Sequence, residues 1–214
     1  MNEEQAVLEF FARKENLPLA LIAAEHLDGL RRDLNNQFWK VMHAQLDSLV
    51  KSRSLPWVAQ LTEDRNAEDC LVGVYLEPTQ SSRVFLRPFM EQQYIGEGYR
   101  IYHGLMWNTT PDAAQKALPA VAALSASMQE AGFKEGDNFF GWQWLNWHPR
   151  RRDFLMRFGI PTEQSLADMM QPWEQLVLVW GEQLQAANTA LAQGPTSTTI
   201  SLNQLRQSLP SQSA

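Results

Sequence analysis

Apolar residues return every three to four positions from Leu27 through Leu30, Leu34, Phe38, Val41, Met42, Leu46 and Leu49. That is the period of one face of an α-helix, held for about six turns. Asp28, Arg31, Arg32, Asp33, Lys40 and Asp47 fall between them as a solvated face. The spacing predicts a long core helix, with a partner-binding or coiled-coil helix as its functional alternative. Upstream, residues 3–15 predict a shorter helix with Ala6, Val7, Phe10 and Phe11 on one face, interrupted at Asn16. Pro18 then suits the first turn of the second helix, where its missing N–H is not needed. Together these make an N-terminal helical hairpin.

Beyond Leu55-Pro56 the pattern shortens. Segments 56–62, 69–77, 82–91 and 99–107 are rich in Val, Leu and aromatic residues, and charged or Gly-containing connections separate them. A spacing of about a dozen residues predicts an antiparallel meander rather than crossover units. Alternation is clearest at 71–76, where Leu71, Gly73 and Tyr75 oppose Val72, Val74 and Leu76. Apolar residues on both faces mark a central strand covered by helices. Pro88 lacks a ladder N–H and predicts an edge or a bulge in the third segment.

Thr110-Pro111-Asp112 reads as a helix start: a capping hydroxyl, Pro in the first turn and an acid facing the dipole. This helix should stop at Gly132 and be kinked or divided at Pro119. Residues 138–147 predict a strand with Phe140, Trp142 and Trp144 on one face and Phe139, Gln143 and Leu145 on the other. Residues 150–158 fit either a strand or a helix. Pro161-Thr162-Glu163 opens a last helix to about Leu191, apolar at helical spacing from Leu166 to Leu184. The expectation is an α+β fold: an antiparallel sheet of four to five strands packed by long amphipathic helices, beside the N-terminal helical hairpin. Residues 1–193 form one domain, helical over 1–54, sheet-rich over 55–160 and closed by a C-terminal helix over 161–193. Residues 194–214 hold one charge, Arg206, and eight Ser or Thr. They cannot offset their own ordering entropy and read as a flexible polar tail. Within it Ile200, Leu205 and Leu209 stand at about helical spacing, which suits docking into a groove.

Charge and composition narrow the function classes. A net charge of −6 and a pI near 5.2 argue against a general nucleic-acid-coating protein. The one cysteine, Cys70, excludes an intramolecular disulfide and a multi-cysteine zinc site, and reads as an inert buried thiol. No basic region leads into an apolar run at the N-terminus, and no apolar stretch approaches the ~18 residues of a membrane span. A cytoplasmic protein without membrane contact is therefore expected. His26, His43, His103 and His148 are not at metal-ligand spacing, and neither a phosphate-binding glycine loop nor a nucleophile elbow occurs. Neither a metal nor a cofactor is expected.

Candidate binding chemistry concentrates in 139–158, which carries seven aromatic residues and the only run of three arginines. The candidates are Trp142, Trp144, Trp147, His148, Arg150, Arg151 and Arg152. Arg beside exposed Trp suits single-stranded nucleic acid, since rings stack on bases and guanidinium groups take phosphates. The same residue types anchor protein interfaces. Residues 111–160 carry six basic and five acidic residues, so the local field is barely positive, which favours a protein partner. A second set, Glu91, Tyr94, Glu97, Tyr99, Arg100, Tyr102 and His103, brings carboxylates near a histidine. Alternation puts Ile101, His103 and Leu105 on one face and Arg100, Tyr102 and Met106 on the other, so this set reads as structural.

DLNNQFWKVMHAQL (33–46), the pair RVFLRPF and YRIYHGLMWN, and FFGWQWLNW ahead of a terminal amphipathic helix resemble the C-terminal portion of phage- and prophage-borne PD-(D/E)XK nuclease-like proteins. The resemblance spans residues 30–190. It implies an accessory or degenerate member of a bacterial defence or mobile-element system. It brings no catalytic residue with it. Nuclease chemistry of that kind needs an Asp and a Glu/Asp-x-Lys to hold Mg²⁺, and none of the five lysines follows a carboxylate at that offset. The expected function is a non-catalytic, cytoplasmic protein-binding role, as adaptor, immunity or regulatory protein. The alternative is a nuclease-like or nucleic-acid-binding protein that uses 139–152.

Overall fold

The computed structural model describes residues 2–62, 71–80, 82–96 and 98–194. Helix α1 (Glu3–Phe11) is capped by Asn2, whose side chain accepts from the Gln5 N–H at 2.9 Å. Helix α2 (Leu17–Ser52) takes Pro18 into its first turn and runs for 36 residues. Strands β1 (Trp57–Leu61), β2 (Val72–Pro78), β3 (Leu86–Ile95), β4 (Gly98–Trp107) and β5 (Phe139–Trp144) form one antiparallel sheet in chain order. Helices α3 (Ala113–Lys116) and α4 (Pro119–Glu130) follow β4. Helices α5 (Arg152–Phe158) and α6 (Glu163–Glu174), a π-helical turn (Gln175–Val179) and α7 (Gly181–Gln193) follow β5. The fold is α+β, as the hydrophobic pattern implies, with five strands.

The helices cover one face of the sheet. Phe38, Trp39, Met42 and Leu46 of α2 share a core with Val74, Ile101 and Leu105 of the strands and with Leu124, Trp173 and Leu184 of the later helices. Phe38 meets Trp39, Trp147, Phe154 and Phe158 edge-on, with centroids 4.9 to 6.1 Å apart, the geometry the ring quadrupoles favour. Two buried indoles find partners: Trp39 Nε1 donates to Gln92 Oε1 at 2.8 Å, and Trp173 Nε1 to Met42 Sδ at 3.0 Å. The opposite face has a smaller cluster without any helical residue. There Phe89, Tyr102 and Met106 are buried among Tyr75, Phe139, Trp142 and Trp144. Gly104, at φ +156°, sits in its middle, where a Cβ would strike the Gly141 carbonyl of β5. Only glycine allows that approach of two strands.

The sheet edges are partly occupied, which limits further strand pairing. His43 of α2 donates Nε2–H to the Ala59 carbonyl of β1 at 3.2 Å. Lys134 exchanges two 2.8 Å backbone hydrogen bonds with Trp142 of β5.

Three sequence expectations give way, and one is met locally. Pro88 lies in β3 where β2 has already left it, so the strand is an edge at that point, without a bulge. The backbone N–H and C=O of Leu86 point away from β4, to Asn188. Pro88, two residues on, therefore turns its missing N–H to that same side, one residue past the last β2 pair, Tyr75↔Phe89. The bulge falls instead at Leu105/Met106 against β5. It changes the faces of β5: Phe139 joins Trp142 and Trp144, while Phe140 enters the helix-side core. The cap before α3 is Asp112 rather than Thr110, in a reciprocal box with Gln115. The helix expected over 161–191 is divided, because Pro172 has no N–H for the ladder and a π turn follows before α7 restarts at Gly181. Pro119 does divide α3 from α4, and residues 152–158 are helical. Cys70, Glu97 and the segment holding Ile200, Leu205 and Leu209 lie outside the described residues.

Candidate functional site

The fold separates the seven candidates from 139–152. Trp142 and Trp144 are half-buried on the helix-free face, edge to face with centroids 5.4 Å apart. Both also meet Tyr102 edge-on, at 6.2 and 5.3 Å. Trp147 does not join them. It is 8% exposed and packs on Phe38 and Phe158 in the helix-side core, where no partner can reach it. The chain leaving β5 is pulled inward because the Leu145 N–H and the Trp147 carbonyl both bond to Ile101.

His148 is half-buried beside Arg151 and Arg100, and its pKa is lowered by burial first and then by those two cations, against Asp153. Arg150 adopts φ +68°, uncommon for any residue but glycine, and lays its guanidinium over the Tyr99 ring at 4.7 Å. Arg151 and Arg152 are exposed. Arg152 approaches Glu3 at 3.8 Å, a solvated pair of small value.

Two cations outside the seven candidates belong to this face: Arg100, from the second set, and Lys134, from neither. Arg100 stacks on Trp144 at 4.4 Å, and Lys134 lies over Trp142 at 5.9 Å. Alternation along β4 already put Arg100 beside Tyr102. The bulge concealed that Trp142 and Trp144 face the same way. Arg87, paired with Glu77, covers Tyr75 at 4.4 Å. The result is a small aromatic core with a basic rim.

The second set is split across the sheet. The Tyr102 hydroxyl donates to Glu91 Oε2 at 2.6 Å on the helix-free side, and both groups are buried. His103 points the other way, 1% exposed and 5.3 Å from the Phe133 ring, and burial lowers its pKa to about 4. A 700 Å³ groove runs between the β1 and β2 ends and α7, and a 260 Å³ cavity lies between α4 and β5. Neither is lined by Glu91, Tyr102 or His103. Among the described residues no group of three or more His, Cys, Asp or Glu is placed to hold a metal ion.

The longest run of exposed apolar side chains lies elsewhere. No residue of α1 is buried, and the first buried residue of α2 is Asn35. Val7, Leu8, Phe10 and Phe11 on α1, and Leu17, Leu19, Leu21, Ile22, Leu27 and Leu30 on α2, expose 39 to 66% of their areas. The stripe that enters the core is Phe38, Trp39, Met42, Leu46 and Val50. The core helix expected from Leu27 therefore begins to pack only eight residues later, and its first half is an arm. A signal did exist in the run LPLALIAA at 17–24. A helix apolar on every side needs cover on more than one side. Among the described residues no helix is long and apolar enough to cross a membrane.

Compared with protein-family models, curated proteins and solved structures, the chain matches none.

Proposed function

We propose that this chain is a protein-binding module that works by contact, as an adaptor, immunity or regulatory protein, and that the arm formed by α1 and the first half of α2 is its contact surface. One observation carries the reading. Among the described residues, the body buries the aromatic rings of its helix-side core and exposes six large apolar side chains at scattered positions, yet ten between Val7 and Leu30 stand in solvent along one arm. The largest apolar patch of an ordinary monomer is about 300–600 Å² and is itself often functional. A place within a bacterial defence or mobile-element system rests on the resemblance of residues 30–190 described above, and a cytoplasmic setting on the sequence pattern alone. The test is affinity capture from native lysate with the full chain and with Leu19→Glu/Ile22→Glu. Arm-dependent capture is the expected result. Identical captured proteins with both chains would overturn the reading.

A second reading has its own observation. Arg100 and Lys134 stacked on Trp144 and Trp142, with Arg151 exposed nearby, supply guanidinium and ammonium groups around aromatic rings. That pairing suits a single nucleic-acid strand. It is the weaker of the two, because the rings are already engaged with one another and with Tyr102.

A further inference from the structure

We infer that the occupant of the arm is a second copy of this chain, so that two arms pair across a two-fold axis into a four-helix assembly. This rests on the arm being a protein-binding surface and names its partner.

Area is the first argument. The ten exposed side chains, at about 100 Å² each, present on the order of 1,000 Å² of apolar surface, against the ~800 Å² each partner gives to a standard interface. Shape is the second. Between Leu17 and Ala24 the helix is apolar all round, so one flat partner leaves part of it wet. Two helices from each of two chains enclose such a segment on several sides, as in a four-helix bundle. An isologous pairing also closes on itself and leaves no open apolar end. Ala20, Ala23 and Ala24 lie midway along the free half of α2, where small side chains let two helix axes approach.

Charge opposes the pairing only mildly. The arm from Glu3 to Asp33 carries seven acidic and four basic side chains, and its stretch over residues 13–33 balances at four of each. The excess sits on α1 alone, so burial of the apolar faces has only a modest repulsion to outweigh. A lipid surface fits less well, since α1 holds Glu3, Glu4 and Glu9 and no basic residue, where interfacial helices are rich in Lys and Arg.

The experiment is light scattering on the purified full chain across a dilution series, beside Ile22→Glu/Leu30→Glu. The wild type should give twice the 24.5 kDa chain mass at high concentration. The variant should weaken the dimer by about 100-fold or more, since each carboxylate would be buried unpaired. Its near-UV circular dichroism should stay unchanged, which separates lost pairing from lost folding. A wild-type chain that is monomeric at 100-fold dilution and at the highest concentration alike overturns the inference, as does a dimer that the variant leaves intact. A monomer that still captures lysate proteins through its arm overturns the dimer and keeps the protein-binding module. A monomer with arm-independent capture removes both.

Discussion

Asn188 of α7 holds Leu86 of β3 by both backbone groups, accepting from its N–H at 2.7 Å and donating to its carbonyl at 2.9 Å. The pair stands where β2 has turned away from β3, so one side chain replaces a stretch of strand. Asn188→Ala leaves a donor and an acceptor without partners beside the core. It should destabilise by about 1–3 kcal/mol. Asn188→Asp keeps the acceptor but sets a carboxylate oxygen against the Leu86 carbonyl, and at neutral pH should cost at least as much as Ala. Urea midpoints at constant slope check this. A wild-type midpoint for Asn188→Ala would show that water replaces the amide at no cost.

His103 gives a prediction in pH. The Gln143 carboxamide donates to His103 Nε2 at 3.1 Å, which leaves the ring proton on Nδ1, and Nδ1 has no hydrogen-bond partner. The ring is neutral in the folded protein because burial lowers its pKa from 6.5 to about 4. Between those values the unfolded chain binds the extra proton, so stability rises with pH across the window. The contribution is complete above pH 6.5 and is lost as pH falls to about 4, up to about 3 kcal/mol. His103→Met should flatten the curve of unfolding free energy against pH over that window. A variant with the wild-type slope would assign the slope to other groups.

The architecture was largely legible because periods report burial. The spacing from Phe38 to Leu46 and the alternation of Val72, Val74 and Leu76 both mark residues that the structure buries. What escaped has local causes. A bulge changes side-chain direction without altering composition, so strict alternation puts Trp142 and Trp144 with Phe140, whereas they face the same way as Phe139. Trp147 has the same chemistry as Trp144, and only the backbone bonds to Ile101 decide that it goes inward. Nor does apolar period distinguish a face that meets its own body from one left uncovered. Leu30 and Phe38 belong to one repeat, yet one is exposed and the other is core.

The separation of the tryptophans predicts different phenotypes. Trp147→Ala removes a ring packed on Phe38 and Phe158 and should cost about 3–5 kcal/mol. Trp144→Ala takes away a half-buried ring and frees Arg100, and should cost clearly less. Denaturant titration of the two variants in parallel measures the difference. Equal losses would mean that the helix-free cluster contributes as much as the helix-side core.

The basic rim allows the nucleic-acid reading to be tested on its own terms. Arg151 is exposed, and Arg100 makes no ion pair among the described residues. Arg150, by contrast, is stacked on Tyr99 in a left-handed backbone conformation. If a single strand binds here, Arg151→Ala should weaken it and make its salt dependence shallower by roughly one phosphate contact, since each neutralised phosphate adds about 0.7 to the slope for single strands. Arg100→Ala should weaken it further, because the stack that orders Trp144 is lost with the charge. Fluorescence anisotropy of a labelled oligonucleotide between 50 and 200 mM salt, roughly the range over which such contacts are read, makes the measurement. Absence of binding at the low-salt end would remove the nucleic-acid reading of this rim.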